Sequence, residues 1–373
     1  MTALANWLGG FWAMAAKELK IVLLDKRART TLIISPIIQL MLYGMASTLE
    51  VRNFDIGVVN RDNGVAAQEV LSGLAGSPNV RKLIYYPSMD AMADGIARRE
   101  VIAGLSLPPD LSRDVAAGRT GSAGLLVDGR KINAGQIVAG YIQTIIHRAG
   151  AELAPDATRA GPELVAVNWY NPNLDYRWFT MPAMIAIITS VLVISISVHT
   201  FAREREFGTI DTLQVLPLGV SQKLLGKIVP AFLVGLGNAL FYVLVIPLFF
   251  GVPLIGSLAL LFGAVLCFSL AMAGLGVAIS SFARTQQQAF LVGFMALTPM
   301  TLLAGYATPV DNMPEWLQWL AWINPLRHML EISQGVFVKD ISLVHAADNI
   351  AMMLAFAAVS VGTAYTILKT RLD

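Results

Sequence analysis

The sequence predicts a polytopic α-helical membrane protein with six transmembrane helices and an inserted extracytoplasmic α/β domain. Three observations lead there. First, five runs contain no Asp, Glu, Lys or Arg: residues 30–49, 178–202, 228–283, 285–310 and 349–368. About 20 apolar residues cross a hydrocarbon core of roughly 30 Å. The third run is long enough for two spans, and Gly251 and Pro253 mark the turn that divides it, giving six. Second, a charged segment of about 130 residues separates the first span from the other five, too long for a loop. Third, the chain is 55% hydrophobic and 14% charged, where soluble domains carry about 25% charged residues. More than half of its charged residues lie between Glu50 and Arg177.

Residues 1–28 are expected to form a cytoplasmic interfacial helix. Within 7–24, Trp7, Phe11, Met14 and Val22 share one face, and Lys17 and Lys20 reach toward lipid headgroups. An ordinary cytoplasmic stub is the alternative. Residues 29–49 are the first span. Their apolar run exceeds the 7–15 residues of a usual signal-peptide core, so a retained anchor is expected, although Ala46, Ser47 and Thr48 resemble a cleavage site.

Residues 50–176 read as the extracytoplasmic α/β domain. A β-branched run at 54–60 ends in the turn-like Arg61-Asp62-Asn63-Gly64. A helix to about Leu74, a strand at 80–86 and a helix capped by Ser88 follow. A third strand is expected at 101–107, with Pro108-Pro109 turning into a short helix. A fourth strand at 122–128, a helix at 133–149 and a strand-like return at 164–169 complete the segment, with 150–162 the loosest stretch. Alternating strands and helices predict a mixed or parallel sheet with helices against it.

Residues 177–373 hold the five-span bundle. Lys17, Lys20, Lys26, Arg27 and Arg29 precede the first span, and Arg203, Arg205, Lys223 and Lys227 follow the second. Arg284 separates the fourth from the fifth, and Lys369 and Arg371 end the chain. The short segments on the other side, 249–256 and 306–348, hold only Arg327 and Lys339. The positive-inside rule then puts both termini in the cytoplasm and the large domain outside.

The pattern argues against chemistry in this chain. The 50–176 segment has one histidine, His147, and no cysteine, metal-ligand cluster or Gly-x-Ser-x-Gly turn. Asp128-Gly129-Arg130 is a turn signature, and the domain reads as a binding or docking module. Cys267, the only cysteine, falls inside the fourth span, so no intramolecular disulfide forms. No phosphate-binding Gly-x-x-x-x-Gly-Lys-Ser/Thr loop is present; Gly226-Lys227 lacks the first glycine and precedes Ile228. The spans also lack mid-membrane ionisable residues of the kind that ion-coupled carriers use, and Asp348 and His199 fall at span ends. A transporter of this composition needs an external motor.

Residues 203–217 offer a place for one. Charges alternate as the chain leaves the membrane, Gly208 permits a bend and Thr209 is placed to cap a short helix. Ile210, Leu213 and Leu216 would give that helix an apolar edge, with Asp211 in its first turn. Such a helix suits a groove on a partner; an amphipathic connector explains the same pattern.

REREFGTIDTLQVLPL at 203–218 resembles the cytoplasmic loop of permease subunits of type-2 ABC exporters. So does LLAGYATPVDNMPEWLQWLAWINPLRHMLEISQGVFVKD at 302–340, which in that family is an outer re-entrant hairpin. VNWYNPNLDYRWFTMP at 167–182 resembles the same family's entry into the second span, and FDIGVVNRDNG at 54–64 and GLSLPPDLSRDVAAGR at 104–119 resemble the outer domain of its subgroup with a large insertion after the first span. The resemblance covers nearly the whole chain, in order. It implies that Arg203, Glu204, Arg205, Glu206, Gly208, Thr209, Asp211 and Leu213 belong to a coupling helix region moved by a separate ATPase. An outer hairpin over 307–332 would begin with Pro309, Met313, Pro314, Trp316 and Trp319 and continue through Asn324, Pro325, Leu326, Arg327 and Glu331. Ala307-Thr308-Pro309 stands where many members carry bulkier residues. The resemblance further implies a bacterial inner-membrane location and two permease copies, homodimeric or closely related. Two ATPase subunits would carry the ATP and magnesium, and no cofactor is expected in this chain.

The hairpin tryptophans, Trp322 included, suit the membrane–water boundary, and Arg327 can snorkel or pair with Glu331. Ala231/Gly235 and Gly276/Ser280 supply small residues four apart for close helix packing. Ser190, Ser195, Ser197 and Thr200 either face a transport path or bond back to their own helix. The expected function is export of an amphipathic, drug-like or lipid-like substrate, with membrane lipids and a periplasmic adaptor as further partners and no nucleic acid. A membrane-anchored receptor or assembly factor whose α/β domain binds a ligand is the rival.

Overall fold

The computed structural model describes residues 2–46, 53–128, 132–153, 171 and 175–372. The chain divides into a helical unit, Met1–Ser47 with Asn168–Asp373, and a second unit, Thr48–Val167. In chain order the helical unit begins with α1 (Thr2–Leu24) and α2 (Lys26–Ala46).

The second unit is built on a four-stranded sheet. Its elements are β1 (Phe54–Asn60), α3 (Val65–Ala75), β2 (Val80–Tyr85), α4 (Met89–Ala97), β3 (Ala103–Leu107), α5 (Leu111–Ala116), β4 (Gly124–Val127) and α6 (Ile132–Leu153). The sheet order is β2-β1-β3-β4. β1 pairs in parallel with β2 and β3, with Val58 opposite Tyr85 and Leu105, whereas β4 runs antiparallel to β3. β1 is buried on both faces, which is why its sequence shows no alternation. Ile56, Val58, Leu105 and Leu107 form a core with Val70 and Leu74 of α3 and Val138 and Ile142 of α6. α4 begins where the Ser88 hydroxyl accepts the Ala91 N–H at 3.2 Å. A Cβ on Gly104 would lie 2.4 Å from Met92 Sδ, so that glycine lets α4 close on the sheet. Asp62 accepts N–H bonds from Gly64 (3.0 Å) and Ser112 (2.7 Å), joining the β1–α3 turn to α5. The bonds from Ser112 and Gly64 hold its carboxyl below the usual carboxylate range. His147 is exposed on α6. The expected strand at 164–169, most of the 150–162 stretch and Gly129-Arg130 lie outside the described residues.

The helical unit continues with α7 (Tyr176–Ser197), α8 (His199–Glu206), α9 (Ile210–Val215), α10 (Val220–Phe250) and α11 (Leu258–Phe282). Then come α12 (Gln286–Leu302), α13 (Glu315–Ile323), α14 (Pro325–Gln334) and α15 (Leu343–Leu372). The long apolar run does divide at Gly251, whose φ of +65° ends α10 in the left-handed region that glycine tolerates. Among the described residues, four helical stretches are long and apolar enough to cross a membrane: Tyr176–Glu206, Val220–Phe250, Leu258–Phe282 and Leu343–Thr370. The other two predicted spans correspond to shorter apolar helices. α2 carries Lys26, Arg27 and Arg29 in its first turn, and α12 has 17 residues, about 26 Å at 1.5 Å per residue.

α7 is the core helix: Met181, Met184, Ile185, Ile188 and Val193 are fully buried. Small residues bring its neighbours close. A Cβ on Gly235 of α10 would lie 2.3 Å from Ser269 Oγ of α11, and one on Gly276 would lie 2.5 Å from Ser197 Cβ of α7. Between α7 and α8 the ladder breaks at Val198, and Ser280 Oγ of α11 accepts the N–H groups of Phe201 (2.9 Å) and Ala202 (3.0 Å). A sequence position picked out for packing therefore also stabilises a helix break.

Candidate functional site

The segment after α8 turns as its glycine requires: Gly208 has φ +68°, and α9 begins two residues later with Asp211 in its first turn. The rest of the expected helix is rearranged. Thr209 makes no capping bond; its hydroxyl donates instead to the Glu204 carboxylate. Leu213 points inward at 2% exposure, whereas Val215 is 81% exposed and Phe207 63%. The apolar edge available to a partner thus consists of Phe207, Val215 and the partly exposed Leu216, because burying Leu213 in the chain's own core removes it from the outer face.

Behind α9 lies a cluster of buried charges. Lys227 of α10 has no solvent exposure, and its ammonium donates to Glu18 (2.8 Å), Glu204 (3.2 Å) and the Thr200 carbonyl (3.1 Å). It also sits 4.9 Å from the centre of the Phe201 ring. Glu204 accepts a further bond from Lys17 at 2.7 Å. Two carboxylates thus share two ammonium groups, an arrangement that offsets the cost of taking each charge from water. Burial alone would lower the Lys17 pKa, but the Glu204 bond and the nearby Glu18 charge outweigh it and raise the value above that of ordinary lysine.

This cluster corrects the expectation that Lys17 of α1 reaches lipid headgroups. Met14 and Ala15 are buried at 2%, and Glu18 at 6%, so this face packs on protein, and Lys17 engages Glu204 rather than headgroups. A Cβ on Gly226 would lie 2.7 Å from Met14 Cβ, which places α1 in close contact with α10. Gln222 Nε2 donates to the Trp7 carbonyl at 2.8 Å. Trp7 and Phe11 stack with ring centres 5.8 Å apart.

The remaining loop charges also reach neighbours. Arg203 approaches Asp25 at 3.9 Å, Arg205 donates to the Ala283 carbonyl at 2.9 Å, and Glu206 accepts the Gln286 N–H at 2.7 Å. Glu206 therefore sits at the start of α12, where a carboxylate is favoured. Beside the cluster opens a cavity of ≈ 650 Å³, with Ser195, His199, Thr200 and Arg203 among its lining. A second, of ≈ 350 Å³, lies between Lys17, Thr209, Leu213 and Leu216. Of the four hydroxyls considered for a transport path, Ser190 bonds back to Ile187 O (2.6 Å) and Thr200 to Ser197 O (2.8 Å). Ser197 Oγ is buried without a hydrogen-bond partner among the described residues, and Ser195 faces the cavity. His199 Nδ1 is likewise buried and unpartnered among the described residues, although it falls at a span end.

The hairpin residues form a separate group. Pro309 precedes a 3-10 turn, Val310–Asn312, and Pro314 stands at the start of α13. Trp316 and Trp319 are 65% and 69% exposed. Asn324 caps α14 by accepting the Leu326 N–H (3.1 Å) and donates to Met300 O of α12 (2.7 Å), while Pro325 fills the first helical position. Arg327 and Glu331 pair at 3.0 Å, as their spacing predicts. Sequence reasoning missed His328, which is buried and joins Asn349 of α15 and the Trp322 carbonyl, each at 2.7 Å. It also missed Glu18 and Lys227. The available signal was a lone acid on an amphipathic helix and a lone cation at the edge of the longest apolar run.

No metal-binding group of His, Cys, Asp or Glu occurs among the described residues. Residues 26–366 match a family described as ABC-2 family transporter protein. The chain is 36% identical over 361 residues to the probable multidrug ABC transporter permease YbhR of Escherichia coli K12, covering 96% of this chain and 98% of that one. It is 26% identical to the probable multidrug ABC transporter permease YbhS of the same organism, covering 97% of each. The inner membrane transport permease YhhJ, also from that strain, is 26% identical over 89% of each chain.

Proposed function

This chain belongs to the ABC-2 transporter family, and from that premise we propose that it is the permease of a drug exporter driven through its 203–217 segment. The coarser part is established by the family: the chain is a membrane-embedded, non-enzymatic transport component, and ABC-2 permeases work with separate ABC ATPase subunits. In the proposed arrangement α2 and α12 also cross, giving six spans in the bacterial inner membrane. Both termini are cytoplasmic, and the Thr48–Val167 unit lies outside as the mark of the large-domain subgroup. Basic residues flanking the spans support that orientation. The substrate is an amphipathic, drug-like compound, a reading supported by relatives named as multidrug permeases.

One observation carries the coupling assignment: Glu204, in the predicted contact segment, is bound to Lys17 of α1 and Lys227 of α10. A push on the exposed Phe207–Val215 face therefore reaches three helices through short, direct ion pairs rather than through a loose loop. ATP and magnesium belong to two ATPase subunits acting on a pair of permeases, and the outer unit is a docking site for a periplasmic adaptor. The hairpin tryptophans anchor the outer boundary.

The test is co-purification with a candidate ABC ATPase subunit co-expressed with the permease. Wild type would be compared with an Asp211→Ala, Val215→Asp variant, whose altered side chains are exposed. Capture of the ATPase by wild type and a fall of at least tenfold in the variant are expected. Equal capture by both, with both permeases folded, would remove 203–217 as the docking element.

A further inference from the structure

The ≈ 650 Å³ cavity beside the charged cluster is bounded by residues of α1, α2, α7, α8, α10 and α12. Its size falls within the roughly 300–1,000 Å³ of small-molecule sites. The lining divides by chemistry. Leu32, Ile196 and Phe290 provide an apolar flank. The Phe290 ring, 48% exposed, stands 6.4 Å from the His199 ring and within 24° of parallel. At the buried end Lys227 is shared by Glu18 and Glu204, so its charge is already answered by carboxylates.

Glu206 is different. It is exposed at the cavity mouth, and its partners are the neutral backbone and side-chain amides of Gln286, at 2.7 and 3.3 Å. Among the described residues, no cation bonds its carboxylate. Arg203, the other lining cation, is held near Asp25 and lies 5.9 Å from the centre of the Phe207 ring. The buried Nδ1 of His199 has no hydrogen-bond partner among the described residues. Aromatic and apolar walls with an acidic mouth select for a molecule that is apolar along its body and positive at one end.

We infer that this cavity binds an amphipathic organic cation, with its apolar body against Phe290 and Ile196 and its charge beside Glu206. This assigns a substrate class to the proposed exporter and rests on that reading for its biological role, though not for binding itself. The ammonium could belong to a soluble compound or to a lipid headgroup, and the two share the same recognition chemistry.

Tetraphenylphosphonium and tetraphenylborate separate charge from shape, being close in size and opposite in sign. Each would be titrated against the full-length permease in phosphatidylglycerol nanodiscs, with empty discs subtracted. Saturable binding of the cation and none of the anion is expected. Glu206→Gln and Phe290→Ala should each weaken cation binding about tenfold, Glu206→Asp should retain most of it, and Glu152→Gln on α6 should leave it unchanged. A thermal unfolding scan on each variant guards against misfolding. Equal binding of both ions, or cation binding indifferent to both Glu206→Gln and Phe290→Ala, would overturn the site. Adding phosphatidylethanolamine should compete if a lipid headgroup is the occupant and have no effect if a soluble cation is; either result keeps the cationic class. Because binding is read on the permease alone, it fails independently of ATPase capture, which tests the exporter reading.

Discussion

Lys227 exchanges water for two carboxylates, a carbonyl and an aromatic ring. Breaking such a buried group by removing one member costs about 3–5 kcal/mol, since the partners are left charged and unpaired. Replacing charge and countercharge together by neutral groups of similar volume is far milder. Lys227→Met is therefore expected to lower the thermal unfolding midpoint of the detergent-solubilised permease by several degrees. Adding Glu18→Gln should recover most of that loss, because Lys17 still serves Glu204. A double variant no more stable than Lys227→Met would show that the Glu18–Lys227 pair contributes little. The sequence reveals Lys227 only as the last cation before a long apolar run. Its partner Glu18 lies 209 positions away, a separation that no local pattern encodes. Arg327 and Glu331 were legible for the opposite reason: four residues on one helix set their distance in advance.

Among the helices, local chemistry reveals where many elements begin and end, while tertiary contacts decide which face is used. Ser88, Gly208 and Gly251 act where their types predict, since a cap or a left-handed φ is a property of a few consecutive residues. Thr209 does not, because its hydroxyl is turned back toward the Glu204 carboxylate, to which it donates, and away from the α9 N–H groups. Leu213 turns inward for a similar reason, drawn into the core beneath α9. Helix contacts follow the same division. Gly235 and Gly276 were visible as small residues at four-residue spacing, but Gly274, which meets α15, was not. A Cβ there would lie 2.4 Å from Ser360 Oγ and 2.9 Å from the Val361 backbone nitrogen. Gly274→Ala is expected to destabilise the α11–α15 contact by about 1–3 kcal/mol, the usual range for overpacking. Ser360→Gly should restore only part of the loss, because the Val361 backbone cannot be trimmed away. Full rescue, measured by thermal unfolding of the double variant, would mean that the side chain alone sets the approach.

Across the whole molecule, the two shorter apolar helices decide the topology. Each of α2 and α12 changes the parity of the chain, so crossing by either one can be read from which side its flanking segments reach. If α2 crosses, the Thr48–Val167 unit lies opposite the N-terminus. If α12 also crosses, α15 returns the C-terminus to the side of α1; if it does not, α15 carries Thr370 outward. Cys267 is the single cysteine, so Cys267→Ser provides a clean background for His147→Cys, Thr212→Cys and Thr370→Cys, all at exposed positions. With a membrane-impermeant maleimide on spheroplasts, labelling of the His147 position is expected at once. The Thr212 and Thr370 positions should label only after permeabilisation. External labelling at Thr370 alongside protected Thr212 would mean that α12 stays on one side. Labelling at Thr212 but not His147 would reverse the orientation and remove the 203–217 segment from any cytoplasmic motor. The arrangement of lysines and arginines points to the first outcome because a cation is far easier to retain in the cytoplasm than to translocate in a short loop.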